Sequence, residues 1–501
     1  MKRSSKKRYE YMADPLNNFH KEVGIVTSAK EYLLSLQGLP SAHINDLIKN
    51  EWGSRAIITA LDIDEVEALL LDSTTVKPGD RFFLEGDPHI FSFGEHLFGR
   101  TINTLGEYID GKPAGHEPKD YNARLELNVV AKGGSFREPI KDQFVTGITF
   151  VDTLFPIGKG QRQLLFGPIR SGKTTFLQDV ISNQNAQGSV CIYASIGKPV
   201  DDIRKMASGV FREKGGKNAI ILAALSSDPS PLIAIAPSVA FSIAEFFAVQ
   251  GRDVLIILDD LGTHAKYLRE IALLQGRLPG RESYPGDIFY QHAHLMERSG
   301  HFNAKVGGGT ITLLPVLETD IQNNTDLIPT NLMACTDGHF SLSSELRAQG
   351  YYPTILDNRS VTRVGRNTQK LVQKQLGMKI IAWLAEYKEQ EEYSRFGAQV
   401  SIKTQETLRR GAMIREVLHQ EPFEFVPLPV QLCLLALATT PFLTGRGIPF
   451  FRKNRKVLME TIASHKSFED VRVMAGQDVS LENFIWLIME KTLILENVCQ
   501  Q

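Results

Sequence analysis

Between residue 22 and about residue 90, short apolar runs rich in β-branched residues recur, at Val23-Gly24-Ile25-Val26, Ala56-Ile57-Ile58-Thr59 and Ala68-Leu69-Leu70-Leu71. Turn chemistry breaks them at Gly38-Leu39-Pro40, Pro78-Gly79-Asp80 and Gly86-Asp87-Pro88. The pattern predicts a small antiparallel barrel or sandwich that holds neighbours together, with no chemistry of its own. From Leu97 the chain reads LFGRTINTLGEYIDGKP, a turn-rich stretch, followed by an irregular covering loop to Gln143. The period changes at Thr146. Apolar runs at 164–166, 190–194, 219–224, 254–258 and 310–316 alternate with helical patterns, which predicts a mainly parallel sheet covered on both faces. Beyond Arg366 the strand signals cease, and Leu371, Leu376, Met378, Ile380, Ile381, Leu384 and Tyr387 fall at near-helical spacing. The chain therefore divides into a basic tail (1–21), a β-barrel (22–95), an α/β domain (96–372) and an all-α domain (373–501). The apolar run from Phe484 to Ile488 reads as packing within the last.

One stretch carries chemistry. The run 164–166 leads into Gly167-Pro168-Ile169-Arg170-Ser171-Gly172-Lys173-Thr174, and an apolar-spaced segment beginning at Thr175 leads out. Strand, glycine-rich loop and helix in that order form a phosphate-binding loop, the mark of a P-loop NTPase domain. Glycines let backbone N–H groups approach phosphate oxygens, the new helix presents its positive end, Lys173 neutralises charge and Thr174 suits a Mg²⁺ ion. The run 254–258 ends in Asp259-Asp260. Paired with the loop, Asp259 is placed to hold the Mg²⁺ shell through water; alone it would read as a helix cap.

Composition narrows the partners. Apolar content of 43%, charged content of 23% and net charge −1 over 501 residues describe an ordinary globular chain, with no basic excess for wrapping nucleic acid. The length asks for two to four domains at roughly 150 residues each. Cys191, Cys335, Cys433 and Cys499 lack metal or disulfide spacing and suit a reducing compartment. The apolar segment 430–443, interrupted by Thr439, Thr440 and Pro441, is too short to cross a bilayer, so membrane contact is expected through partners only.

At Gly280-Arg281-Glu282-Ser283-Tyr284-Pro285-Gly286-Asp287, after Asp259-Asp260-Leu261 and before LMERSG, the chain closely resembles the alpha subunit of rotary F-type ATP synthases. The blocks VTGITFVDTLFPIGKGQRQLLFG, LPVLETDIQNNTDLIPTNLMACTDGH and SVTRVGRNTQ agree in order. The resemblance is strong from about Leu97 to Gln369 and extends through the helical domain to about Ile462. It implies a RecA-like central domain between barrel and helical domain, in a ring of three alpha-like and three beta-like chains with central-stalk and peripheral-stalk subunits. The whole would lie at the cytoplasmic face of a bacterial inner membrane, synthesising or hydrolysing ATP coupled to ion transport. It implies further that residues Gly167 to Thr175 with Asp259 hold ATP or ADP and Mg²⁺ without turnover, and that Gln420 lies near the base. Arg363 is then the arginine finger to the partner's catalytic site, and Glu282 a secondary candidate for ordering the loop near the nucleotide.

The residues support the non-catalytic role independently. Catalytic relatives place a water-activating glutamate after the strand that follows the phosphate loop, whereas here that strand meets Ile196-Gly197-Lys198-Pro199. A lysine does not deprotonate water as a carboxylate does, and Asp201 and Asp202 lie displaced beyond Pro199. Departures from the family pattern are Pro168 for aspartate, Lys198 for glutamine, Ala334 for serine and Tyr352 for an adenine-side arginine; Pro168 also removes one backbone donor. Two rivals follow: a self-sufficient homohexameric motor of the protein-export or RNA-translocase kind, or a ring scaffold without nucleotide.

Overall fold

The computed structural model describes residues 22–84, 93–113, 130–212, 216–319, 326–395 and 401–500. The basic tail and part of the expected covering loop fall outside them. Six antiparallel strands, β1 (Val23–Lys30), β2 (Leu33–Gly38), β3 (Leu47–Asn50), β4 (Arg55–Leu61), β5 (Val66–Leu70) and β6 (Arg81–Leu84), close into a barrel in the order β1-β2-β5-β4-β3-β6. Closure pairs β1 with β6, so no edge is left to recruit a foreign strand. Alternation fills the interior with Val26, Leu34, Leu36, Ile48, Ile58 and Phe82. Leu47, Ile57 and Leu69 point outward into the core of the next domain, where Gln275 Nε2 donates to Glu67 Oε1.

The central sheet contains all five expected strands and more. Besides a two-residue strand, Gly300–His301, that pairs antiparallel with the start of Thr310–Glu318, these are in chain order β7 (Arg100–Asn103), β8 (Gln163–Gly167), β9 (Val190–Lys198), β10 (Ala219–Leu225), β11 (Asp253–Asp259), β12 (Thr310–Glu318), β13 (Gly338–Ser341) and β14 (Val361–Thr362). Their spatial order is β14-β13-β8-β12-β11-β9-β10-β7, parallel from β13 to β7 and antiparallel at β14. The turn-rich stretch after Leu97 thus contributes an edge strand: β7 pairs with β10, and Arg100, paired with Asp110 at 2.6 Å, closes the turn behind it. Four residues between turns carry too little periodicity to announce this strand locally.

Helices cover both faces. Ser230–Val249 is long and apolar enough to cross a membrane by length and composition, a stretch the reading of segment 430–443 passed over. Here it lies inside the protein, with Ile233, Val239, Phe241 and Phe247 fully buried beside the sheet. Segment 430–443 becomes the buried helix Leu428–Ala438, followed after a 107° bend by Pro441–Ser464. With Leu371–Arg395, Ile402–Leu418 and three short helices after Ser464, they form an all-α domain. Its core is continuous with the other face of the sheet: Leu376, Ile414, Leu435 and Phe484 share one cluster with Leu177 and Ile257. Trp486, by contrast, is exposed.

Candidate functional site

All parallel strands deliver their carboxyl ends to one edge, where ligands of such sheets bind. β8 ends at Gly167, and the helix Lys173–Ala186 begins six residues on. Two glycines make the turn between them. A Cβ on Gly167 would sit 2.8 Å from the Leu342 carbonyl oxygen, and Gly172 caps the helix at φ 97°, a left-handed backbone that suits glycine. Arg170 adopts φ 63° without being glycine. Thr354 Oγ1 donates to the Ser171 carbonyl at 2.5 Å and holds the loop from beneath.

A cavity of about 360 Å³ opens over this loop, lined by residues 170–175 with Lys198, Asp259, Glu318 and Arg347. Lys173 is buried; its ammonium donates to the carbonyl oxygens of Gly167 (2.7 Å) and Pro168 (2.8 Å) and lies 3.4 Å from Glu318. Burial holds its pKa below the ordinary lysine value, against the pull of Glu318. Ser171 Oγ is buried without a hydrogen-bond partner, and Thr174 is exposed to the cavity. The loop, Lys173, Thr174 and Asp259 therefore line one cavity.

Asp259 carries more than the sequence suggested. Parallel pairing of β9 with β11 sets Ser195 beside Asp259, so Lys198 at the end of β9 reaches over it. Lys198 Nζ lies 2.6 Å from Oδ1, while the Tyr193 hydroxyl donates to Oδ2 at 2.6 Å. The neighbouring Asp260 is a helix cap: it accepts from Gly262 N and, at 3.0 Å, from Thr263 Oγ1. Burial beside Asp259 raises its pKa. Asp201 and Asp202, on the first turn of Val200–Val210, pair outward with Arg204 and Lys205 and do not line the cavity.

Pro168 and Ile169 face an adjoining cavity of about 340 Å³ that also meets Asp260, Lys266, Glu282 and Glu318. Glu282 accepts the Leu327 N–H at 3.2 Å and so ties its turn to the helix Leu327–Cys335.

Three positions lie apart from the loop. Gln420 is 1% exposed, and its amide is engaged by backbone: Oε1 accepts from Thr149 N (2.6 Å), and Nε2 donates to the carbonyls of Gly147 (2.9 Å) and Glu424 (2.7 Å). It does not line the cavity and instead joins the helical domain to the start of the α/β domain. Tyr352 is likewise buried, with its hydroxyl donating to Asp179. Arg363 follows β14 at the sheet's outer edge; its N–H donates to the Asp337 carbonyl at 3.0 Å, just ahead of Gly338, which pairs with Gln163. It therefore stands at the amino end of β8, whereas the phosphate loop leaves the carboxyl end, and its exposed side chain donates through Nη1 to the Thr336 carbonyl at 3.2 Å.

Sequence reasoning missed Glu318 and Arg347. An acid closing β12 is the same signal that exposed Asp259. Arg347, on the short helix Ser344–Ala348, has no local signal, because only the return of the chain after β13 brings it to the loop.

A strand-loop-helix with its lysine beside an acid-ended neighbouring strand defines a P-loop nucleotide-binding protein. The comparisons narrow that class. The nucleotide-binding domain of the ATP synthase alpha/beta family matches residues 147–362, and the C-terminal domain of the same family's chains matches 369–480. ATP synthase subunit alpha 2 of Syntrophus aciditrophicus is 34% identical over 466 residues, 92% of this chain and 89% of the relative. ATP synthase subunit alpha of Lactobacillus helveticus is 36% identical over 439 residues, covering 87% and 86%. Subunit alpha 1 of Chlorobium luteolum is 35% identical over 416, covering 83% and 81%. The chain belongs to the ATP synthase alpha/beta family, as an alpha-type member.

Proposed function

We propose that this chain is the nucleotide-holding, non-hydrolysing subunit of a rotary ATP synthase or ATPase, alternating with beta-type chains in a three-plus-three ring. ATP or ADP is held by the loop Gly167 to Thr175, with Lys173 on the phosphates. Central-stalk and peripheral-stalk subunits complete the assembly, which reaches the cytoplasmic face of a bacterial membrane through those partners. Of the Mg²⁺ ligands the family implies, Thr174 is presented to the cavity, but Asp259 is already engaged by Lys198 and Tyr193.

The observation that carries this reading is the position of Arg363. An exposed arginine at the amino end of β8, its guanidinium resting on the Thr336 carbonyl at 3.2 Å, is badly placed for this chain's own phosphates, which leaves a neighbour's as the ones it can serve. The strand end where catalytic relatives keep a glutamate carries Lys198, which favours the same division of labour. The test is reconstitution with a beta-type partner. Arg363→Ala is expected to cut turnover of the assembled complex by about a thousandfold, from arginine-finger magnitudes, while nucleotide still binds this chain. A loss below about tenfold would remove the role. Brisk hydrolysis by the chain alone, abolished by Glu318→Gln, would instead favour the homohexameric motor, since Glu318 is the remaining carboxylate over the loop among the described residues.

A further inference from the structure

The residues around the loop do not fit a hydrated Mg²⁺ ion anchored on Asp259. An outer-shell carboxylate must offer negative charge to the metal's waters, yet Asp259 is 3% exposed, with an ammonium on Oδ1 and a phenol hydroxyl on Oδ2, each at 2.6 Å. A dication drawing on that carboxylate would have to sit against the charge of Lys198. Glu318 is no substitute, because it pairs with Lys173 at 3.4 Å.

We propose that Lys198 takes the place of the divalent cation, so that this chain accepts the polyphosphate of a nucleotide free of metal. This rests on the nucleotide reading above. Four cationic side chains, Lys173, Lys198, Arg170 and Arg347, line the cavity against two carboxylates, Asp259 and Glu318. The excess of two positive charges equals what Mg²⁺ would bring. Lys198 is suited to the task by geometry: its side chain is 26% exposed, lines the cavity and is anchored at its tip on a buried acid, so its ammonium is held at the cavity rather than free in water. A phosphate oxygen then meets a fixed cation in place of a mobile one, and the partnerless Ser171 Oγ adds a hydroxyl at the loop.

The test is calorimetric titration of the full-length chain with ATP, once in excess EDTA and once in excess Mg²⁺. Binding is expected to be at least as tight in EDTA as in Mg²⁺, because the metal must leave the nucleotide before it binds, whereas Lys198→Gln, which uncovers Asp259, should bind at least about tenfold more weakly in EDTA than in Mg²⁺. A parent chain whose affinity collapses in EDTA overturns the proposal, and that comparison needs no variant to fold. So does a Lys198→Gln chain with the parent's ratio. Absence of binding in both media from a folded chain would sink the nucleotide reading itself, and this inference with it.

Discussion

Replacing Lys173 by alanine probes the site most directly. In the structure its ammonium is turned back on the loop, bonded to the carbonyls of Gly167 and Pro168 and close to Glu318. Phosphates entering the cavity must compete with those contacts. Two charge-assisted hydrogen bonds to phosphate at about 1.5–3 kcal/mol each, less the contacts surrendered, leave about 3 kcal/mol, or on the order of a hundredfold in affinity. Calorimetric titration of the purified Lys173→Ala chain with ATP measures it. Glu318→Gln should act in the opposite sense: it removes an anion beside the phosphates and releases Lys173, so binding tightens by about two- to fivefold. An unchanged isotherm for Lys173→Ala would remove the loop from the account. Equal weakening by both substitutions would mean that Glu318 holds the ligand rather than restraining the lysine.

Gln420→Ala removes three hydrogen bonds from a buried amide, so chemical denaturation should show a loss of about 2–4 kcal/mol, with ATP affinity within about threefold of the parent; a selective loss of affinity would return Gln420 to the base. Asp179 is pushed up to about 6 by burial, against the hydrogen bonds from Tyr352 and Phe423 N. A folded-state pKa above the ordinary 3.8 means that the native state binds more protons between those values, so the stability Asp179 contributes falls as pH rises through that window. Asp179→Asn keeps an acceptor for Phe423 N, turns the Tyr352 hydroxyl into the acceptor of its amide, and lacks that proton, so over about pH 4 to 6.5 its stability should rise relative to the parent's by up to about 3 kcal/mol, read from melting temperature against pH. A parallel pair of curves would refute the burial argument.

What was legible in the sequence is what is local along the chain. Gly167 to Thr174 is one strand-loop-helix whose glycine positions serve backbone geometry a few residues away, and the apolar runs that form β8 to β12 each need only their own residues to be read. The barrel follows for the same reason at β1, β4 and β5, whose apolar runs and bounding turn residues are read one by one, whereas β2, β3 and β6 emerge only from the pairing that closes it. Helical spacing from Leu371 onward likewise marked the third domain.

What tertiary structure decided is what requires two distant segments to meet. Sheet register put Lys198 on Asp259, the close of β12 put Glu318 on Lys173, and the return after β13 put Arg347 at the loop and Arg363 at the sheet's far edge. Gln420 looked like a ligand contact until packing of the helical domain engaged its amide with the backbone at Gly147 and Thr149. A motif states which groups a site has. Whether those groups face a ligand or one another depends on contacts made across the fold, and in this chain those contacts have already neutralised the acid on which the metal would have depended.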